Sequence, residues 1–76
     1  MAELIEWIAR RLVDEPDAVR VEAEEHDDAM VFRLHVAPDD VGKVIGRQGR
    51  LARALRGVVR AGGPAAGRRY ILEIVD

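Results

Sequence analysis

A four-residue segment bounded by two glycines separates two stretches with helical spacing, and this break restricts the fold more than any other feature. Residues 38–45 precede it and residues 50–61 follow it, while Arg47 and Gln48 lie inside Gly46–Gly49. Glycine readily adopts positive φ angles and lets another backbone approach closely. We therefore predict two helices joined by a tight turn, with the arginine and the glutamine at its tip.

The ends of these two helices follow from proline, glycine and acidic residues. Pro38 suits a first helical turn, and Asp39 and Asp40 are favourable near the positive end of the first helix. The second helix is expected to end near Ala61, because glycines and a proline follow at positions 62–64.

The flanking segments predict one more helix and three strands. Residues 19–24 and 30–36 alternate between apolar and polar side chains, which predicts an antiparallel hairpin, and residues 67–76 predict a third strand. An amphipathic helix opens the chain and ends before Pro16, with an apolar side formed by Leu4, Ile5, Ile8, Ala9 and Leu12. Trp7 flanks that side, and we expect it to pack against the protein rather than to stack on a nucleic-acid base. We predict one α+β domain spanning residues 1–76, in the order α-β-β-α-α-β, with helices on one face of a three-stranded mixed sheet.

The composition excludes several classes of protein. The chain has no cysteine, so disulfides and thiolate metal sites are ruled out. His26 and His35 lack further ligands at metal-binding spacing and are expected to be solvated, and no nucleophile–base pair indicates an enzyme. The N-terminal segment has no uninterrupted apolar run, so we expect a cytoplasmic protein without cofactor, metal or membrane span.

Charge is divided unevenly along the chain. The net charge of −2 conceals −7 over residues 1–30 and +5 over residues 31–76, with no acid between Asp40 and Glu73. On a helical wheel, Leu51, Leu55, Val58 and Val59 form a core side of the helix that starts at residue 50. The opposite side carries Arg50, Arg53, Arg56 and Arg60. A solvated polar face explains these arginines in part, but such faces usually mix charges. The pattern therefore favours a polyanion partner.

The turn adds features that suit a phosphate backbone. The helix that follows Gly49 offers free N–H groups and a partial positive charge at its start. Arg47 supplies charge and Gln48 neutral hydrogen bonds, while Lys43 and Arg50 flank the turn. The sequence matches neither a Walker loop nor a dinucleotide fingerprint, because the glycine spacing and the following residues differ.

The sequence "VIGRQG" resembles the V-I-G-x-x-G core of the KH domain, and the predicted element order is similar to the type II arrangement. The match extends to "RLVDEPDAVRVE", "VAPDDVGKVIGRQGRLARALRGVVRA" and "ILEIVD". Over nearly all of its length the chain resembles the KhpA family of small bacterial single-KH RNA-binding proteins. One departure is Ala52, where many KH domains carry a branched aliphatic residue.

The resemblance implies a function and a set of binding residues. Gly46, Arg47, Gln48 and Gly49 would clamp about four nucleotides of single-stranded RNA, or DNA. Val44 and Ile45 would support the clamp, and Lys43, Arg50 and Arg53 would position phosphates. The family further implies an RNA chaperone linked to cell elongation and cell-wall control, which pairs with itself or with a KhpB-like RNA-binding protein. Two alternatives remain open: a protein-interaction module whose basic helix meets an acidic partner, and a ribosome-associated factor that contacts structured RNA.

Overall fold

The computed structural model describes residues 1–75 and contains the predicted elements in the predicted order. The helices are α1 (Ala2–Leu12), α2 (Val41–Ile45) and α3 (Arg50–Ala66), and the strands are β1 (Arg20–His26), β2 (Ala29–His35) and β3 (Arg69–Ile74). Short 3₁₀ turns precede β1, α2 and α3. The strands β1 and β2 pair antiparallel across a turn at Asp27 and Asp28, and β3 lies parallel to β2. The sheet order is β1-β2-β3, which confirms the predicted α+β fold with a mixed sheet.

The core lies between the helices and one face of the sheet. Its buried side chains are Ile5, Ala9, Val19, Phe32, Leu34, Leu55, Val59 and Leu72. Full burial of one large apolar side chain contributes about 1.5–3 kcal/mol, so these residues fix α1 and α3 on the sheet. On the opposite face charged side chains bridge all three strands, with Arg33 between Glu24 and Glu73.

The predicted end of α3 near Ala61 is wrong, because the helix continues through Gly62, Gly63 and Pro64. At Gly63 a Cβ atom would lie 2.3 Å from the carbonyl oxygen of Arg68, so the missing side chain allows the helix to approach β3. The helix then ends at Gly67, whose φ of 71° is left-handed. Glycine therefore acts here as a packing residue, where the sequence pattern indicated a helix end.

The buried face of α3 is also rotated from the predicted one. Its buried residues are Ala52, Leu55, Val59 and Gly63, whereas Leu51 and Val58 are 38% and 46% exposed. The helical wheel favoured large apolar side chains, but the close approach to the sheet requires small ones. Leu51 and Val58 therefore form an apolar strip at the edge of the buried face.

The aromatic and histidine side chains outside the core differ in part from expectation. Trp7 does not pack into the core, since it is 56% exposed and the Arg11 guanidinium carbon lies 4.3 Å from its ring centroid. His26 is exposed beside Glu24, while His35 is partly buried against Glu22. Within residues 1–75, no group of three acidic or histidine side chains could hold a metal ion. No helix over the same residues has the length and apolar character needed to cross a membrane.

Candidate nucleic-acid interface

The turn between α2 and α3 depends on residues with positive φ. Gly46 has φ 76° and ψ 174°, and Gly49 has φ 74°. The conformation of Gly46 is essentially restricted to glycine, and a Cβ atom there would lie 2.9 Å from Cβ of Leu51. The positive φ angles expected of both glycines are confirmed. At Gly46 the Leu51 side chain also leaves no room for a Cβ atom.

The tip of the turn is exposed and carries backbone strain. Arg47 and Gln48 are both exposed, and Gln48 has φ 56° and ψ 25°. A non-glycine residue in this left-handed region costs about 1–2 kcal/mol. The Nη2 atom of Arg50 donates a hydrogen bond of 3.4 Å to Oε1 of Gln48. The turn thus exposes the guanidinium group of Arg47 and the side-chain amide of Gln48 to solvent.

The turn leads directly into the N-terminus of α3. Gly49 precedes this 17-residue helix, no side chain caps it, and its first turn contains no acidic residue. The first N–H groups of a helix lack intrahelical partners and carry a partial positive charge. The N–H groups of Gly49 and Arg50 already donate to the carbonyl oxygens of Gly46 and Arg47, so an anion at the tip of the turn would meet the positive end of the helix dipole as well as the Arg47 side chain.

The strand that lies beside the arginines of α3, which the sequence spacing left unassigned, is β3. It forms one edge of the sheet beside α3. A shallow depression lies between the two elements, lined by Arg56, Arg60, Tyr70, Ile71 and Leu72. Arg56 and Arg60 consequently lie on the side of α3 next to β3, whereas the helical wheel placed them opposite the core.

These arginines differ from the rest of the basic residues in their partners. An acidic side chain lies within 4.0 Å of the basic groups elsewhere, namely Arg10, Arg20, Arg33, Lys43, Arg68 and Arg69. Arg11 stacks on Trp7. Over residues 1–75, no such ion pair involves the arginines of the turn and of α3, which are Arg47, Arg50, Arg53, Arg56 and Arg60. Over the described residues, the arginines without an acidic partner therefore lie along this surface, apart from Arg11 on α1.

Lys43, which was predicted to flank the turn, belongs to a separate cluster on α2. Its Nζ atom lies 2.8 Å from Oδ2 of Asp14 and 3.5 Å from Oδ1 of Asp40. The hydrogen bond and the charge of Asp14 raise the pKa of Lys43 above its usual value. The ammonium group therefore faces the segment that connects α1 to β1.

Asp40 has a role beyond the one predicted. It lies at the N-cap position of α2 without a side-chain capping bond, and its buried carboxylate accepts hydrogen bonds from the backbone N–H groups of Asp14 and Glu15 at 3.2 and 3.0 Å. Burial acts to raise the pKa of Asp40, but these two donors and Lys43 outweigh it and hold the pKa below its usual value. Asp39 stays exposed. The helix-dipole explanation is therefore incomplete for Asp40, whose long-range partners are invisible in local sequence.

Two apolar residues attach the end of α2 to the rest of the protein. Val44 is fully buried, and Ile45 is partly buried next to the turn. This matches the support expected from these two positions. The clamp, defined here as Gly46–Gly49, is thus held on one side by α2 and on the other by α3.

The fold agrees with comparisons to known proteins. The family model described as KhpA/KhpB, KH domain matches residues 2–74. The chain belongs to the KhpA/KhpB family of KH domains. Among its KhpA relatives, the RNA-binding protein KhpA of Halalkalibacterium halodurans is 54% identical over 78 residues, covering all of both chains.

Two further relatives carry the same name. The RNA-binding protein KhpA of Treponema pallidum is 50% identical over 74 residues, which cover 97% of this chain and 92% of the relative. That of Caldanaerobacter subterraneus subsp. tengcongensis is 47% identical over 75 residues, covering 99% of this chain and all of the relative. The resemblance to the KhpA family predicted from the sequence is confirmed.

Proposed function

We propose that this chain is a non-enzymatic protein that binds single-stranded RNA, or DNA, and that the clamp grips the sugar–phosphate backbone. The observation that carries the proposal is the row of arginines without acidic partners, which begins at the clamp and continues along α3. The names of the KhpA relatives support RNA as the polyanion. The proposed contact residues are Gly46, Arg47, Gln48, Gly49, Arg50 and Arg53; of the other predicted site residues, Ile45 lies beside the turn, Val44 supports it from the core and Lys43 is held by Asp14.

The phosphates and the bases would occupy different parts of this surface. Phosphate oxygens would accept hydrogen bonds from Arg47 and Gln48 and would lie near the positive end of the α3 dipole. The bases would then lie over the depression between α3 and β3, where Ile71 offers an exposed apolar surface. Backbone contacts position a nucleic acid but carry no sequence information, so we expect weak base preference.

We expect little aromatic stacking at this surface, where Tyr70 is the aromatic side chain that lines the depression and is itself half-buried. The rings of Phe32 and Tyr70 are packed edge to face with centroids 5.0 Å apart, and Trp7 lies on α1. Stacking on an aromatic side chain contributes about 1–3 kcal/mol per base in other single-strand-binding proteins. Without it, affinity should depend mainly on phosphate contacts and should fall steeply with salt.

An NMR titration with unstructured RNA tests where the strand lies. We expect shifts of the backbone amides of Gly46–Leu51 and of Ile71–Glu73, because these segments border the proposed path. The amides of β1 should stay unchanged, since β2 separates β1 from β3. Shifts confined to α1 and β1, or shifts produced by an acidic peptide but not by RNA, would favour the protein-interaction alternative.

A protein partner is the second part of the proposal. Leu51 and Val58 are exposed on the same side of α3. A contiguous apolar patch on a protein surface often marks an interaction site. A weakly binding domain gains affinity through effective concentration when a second copy is joined to it. We therefore propose a homodimer, or pairing with a KhpB-like RNA-binding protein. The role as an RNA chaperone in cell-shape and cell-wall control rests on the family resemblance.

Sedimentation of the purified chain tests this second part. Replacing Leu51 and Val58 with glutamate should convert a dimer into a monomer, since both charges would be buried at the interface. A wild-type chain that sediments as a monomer at high concentration would exclude the homodimer and leave the KhpB-like partner. An unchanged dimer in the variant would place the interface elsewhere.

A further inference from the structure

Asp40 is the single buried charged residue among residues 1–75, and its side chain is 2% exposed. A buried carboxylate is costly unless its oxygens are hydrogen-bonded and its charge is paired. The hydrogen bonds come from backbone N–H groups that lie 25 and 26 positions earlier in the chain, and the charge is paired by Lys43, whose Nζ atom lies 3.5 Å from Oδ1. The carboxylate therefore ties two distant segments together at one point.

The segments it joins are the connection after α1 and the start of α2. Oδ1 and Oδ2 of Asp40 each accept one backbone hydrogen bond from Asp14 and Glu15, and Lys43 lies across the cluster against the Asp14 carboxylate. We name this cluster of Asp14, Asp40 and Lys43, with the Glu15 N–H, the tether. It crosses between elements that are far apart in sequence and therefore restricts their relative position.

The tether matters to α2 because that helix is otherwise anchored mainly by Val44 and, in part, by Ile45. It contains five residues, of which Val44 alone is buried. A helix this short is not stable in isolation, so its position depends on its tertiary contacts. Since Gly46 follows α2 directly, any displacement of α2 also displaces the first residue of the clamp.

We infer that Asp40 is a positioning residue for RNA binding, which acts by fixing α2 and with it the clamp. The inference rests on the proposed function. Asp40 itself is buried and touches no nucleotide; it holds Gly46 at the position from which Arg47 and Gln48 reach the phosphates. Sequence patterns do not identify such a residue, because its hydrogen-bond partners are distant backbone groups.

The test compares Asp40→Asn with Asp39→Asn in RNA binding. Each removes one negative charge from neighbouring positions, and simple electrostatics predicts that both bind RNA more tightly. In Asp40→Asn the side-chain NH₂ group faces a backbone N–H, so one hydrogen bond is lost and two donors oppose each other. We expect affinity to fall about tenfold in Asp40→Asn, a size typical of coupled residues, and not to fall in Asp39→Asn.

A double-mutant cycle separates positioning from a loss of folding. Affinities are measured where circular dichroism shows each variant to be folded, with Arg47→Asp, Gln48→Asp as the clamp variant. If Asp40 acts through the clamp, adding Asp40→Asn to the clamp variant causes no further loss. Full RNA affinity in the clamp variant would overturn the proposed function and this inference with it. A clamp variant that loses affinity, beside an Asp40→Asn protein that binds like Asp39→Asn, would overturn this inference alone.

Hydrogen exchange in the wild-type chain provides a second test that needs no variant to fold. If the tether favours RNA binding, bound RNA must stabilise the tether by the same factor. Saturating RNA should therefore slow exchange of the Asp14 and Glu15 amides more than that of Ala18, whose N–H donates to the Glu15 carbonyl in the same connection. Equal effects on the three amides would contradict the inference.

Discussion

Replacing Gly63 with alanine is expected to destabilise the protein by about 1–3 kcal/mol, which is the usual range for overpacking a core. The new Cβ atom would lie 2.3 Å from the carbonyl oxygen of Arg68 and 3.1 Å from the Tyr70 nitrogen. These are backbone atoms, so α3 must move away from β3 or the strand must shift. A loss of this size lowers the melting temperature of a domain of 60–100 residues by on the order of 10 °C.

The same substitution at Gly57 provides the matched control. Gly57 lies in the same helix and is exposed, and beyond its chain neighbours and the surrounding helix backbone no atom would lie within 4 Å of its Cβ atom. Alanine is more favourable than glycine in a helix interior by about 0.5–1 kcal/mol. Thermal unfolding should therefore show a rise for Gly57→Ala and a fall for Gly63→Ala. Equal shifts in both variants would mean that α3 does not approach β3 as closely as described.

Local patterns in the sequence predicted the elements and their order. Alternation identified the hairpin, and helical spacing identified α1 and α3, since each pattern reflects which side of an element faces the core. The end of α3 was misjudged because Gly63 can mark a helix end or a close contact, and only the position of β3 decides between them. The burial of Ala52 in place of Leu51 likewise depends on where the neighbouring elements lie, which the spacing along the helix does not show.

The candidate site was predictable to a similar degree. The positive φ angles of Gly46 and Gly49 follow from the identity of the residues, and the arginine row follows from their spacing. Three features depend on tertiary structure: β3 beside α3, the ion pair of Lys43, and the hydrogen bonds that Asp40 accepts from distant backbone groups. Gln48 at positive φ is a fourth, because glutamine has no marked preference for that conformation.

Replacing Arg47 and Gln48 together with aspartate is expected to reduce RNA affinity by about 100-fold or more at low salt, because like charges brought together cost several kcal/mol. The fold should be retained for two reasons. Both side chains are exposed, and aspartate accepts the left-handed conformation of Gln48 better than most residues do. The new carboxylate at position 48 would also face Arg50, which donates to Gln48 in the wild type.

A control variant carries the same change of charge on the far edge of the sheet. The double substitution Arg20→Asp, Ala18→Asp also changes the net charge by −3. Both positions are exposed, one at the start of β1 and the other two residues before it. Long-range repulsion weakens binding in both variants and is screened by salt beyond about 10 Å, so its contribution is read from this control. Far-UV circular dichroism establishes that both variants are folded.

The most direct test of the central claim is therefore fluorescence anisotropy with a short unstructured RNA on these three proteins at one salt concentration. Binding through the clamp predicts that the β1 control binds the RNA only modestly more weakly than the wild type, whereas the clamp variant loses affinity by about 100-fold or more. Equal affinities for the clamp variant and the β1 control would contradict the claim that Gly46–Gly49 grips the nucleic-acid backbone.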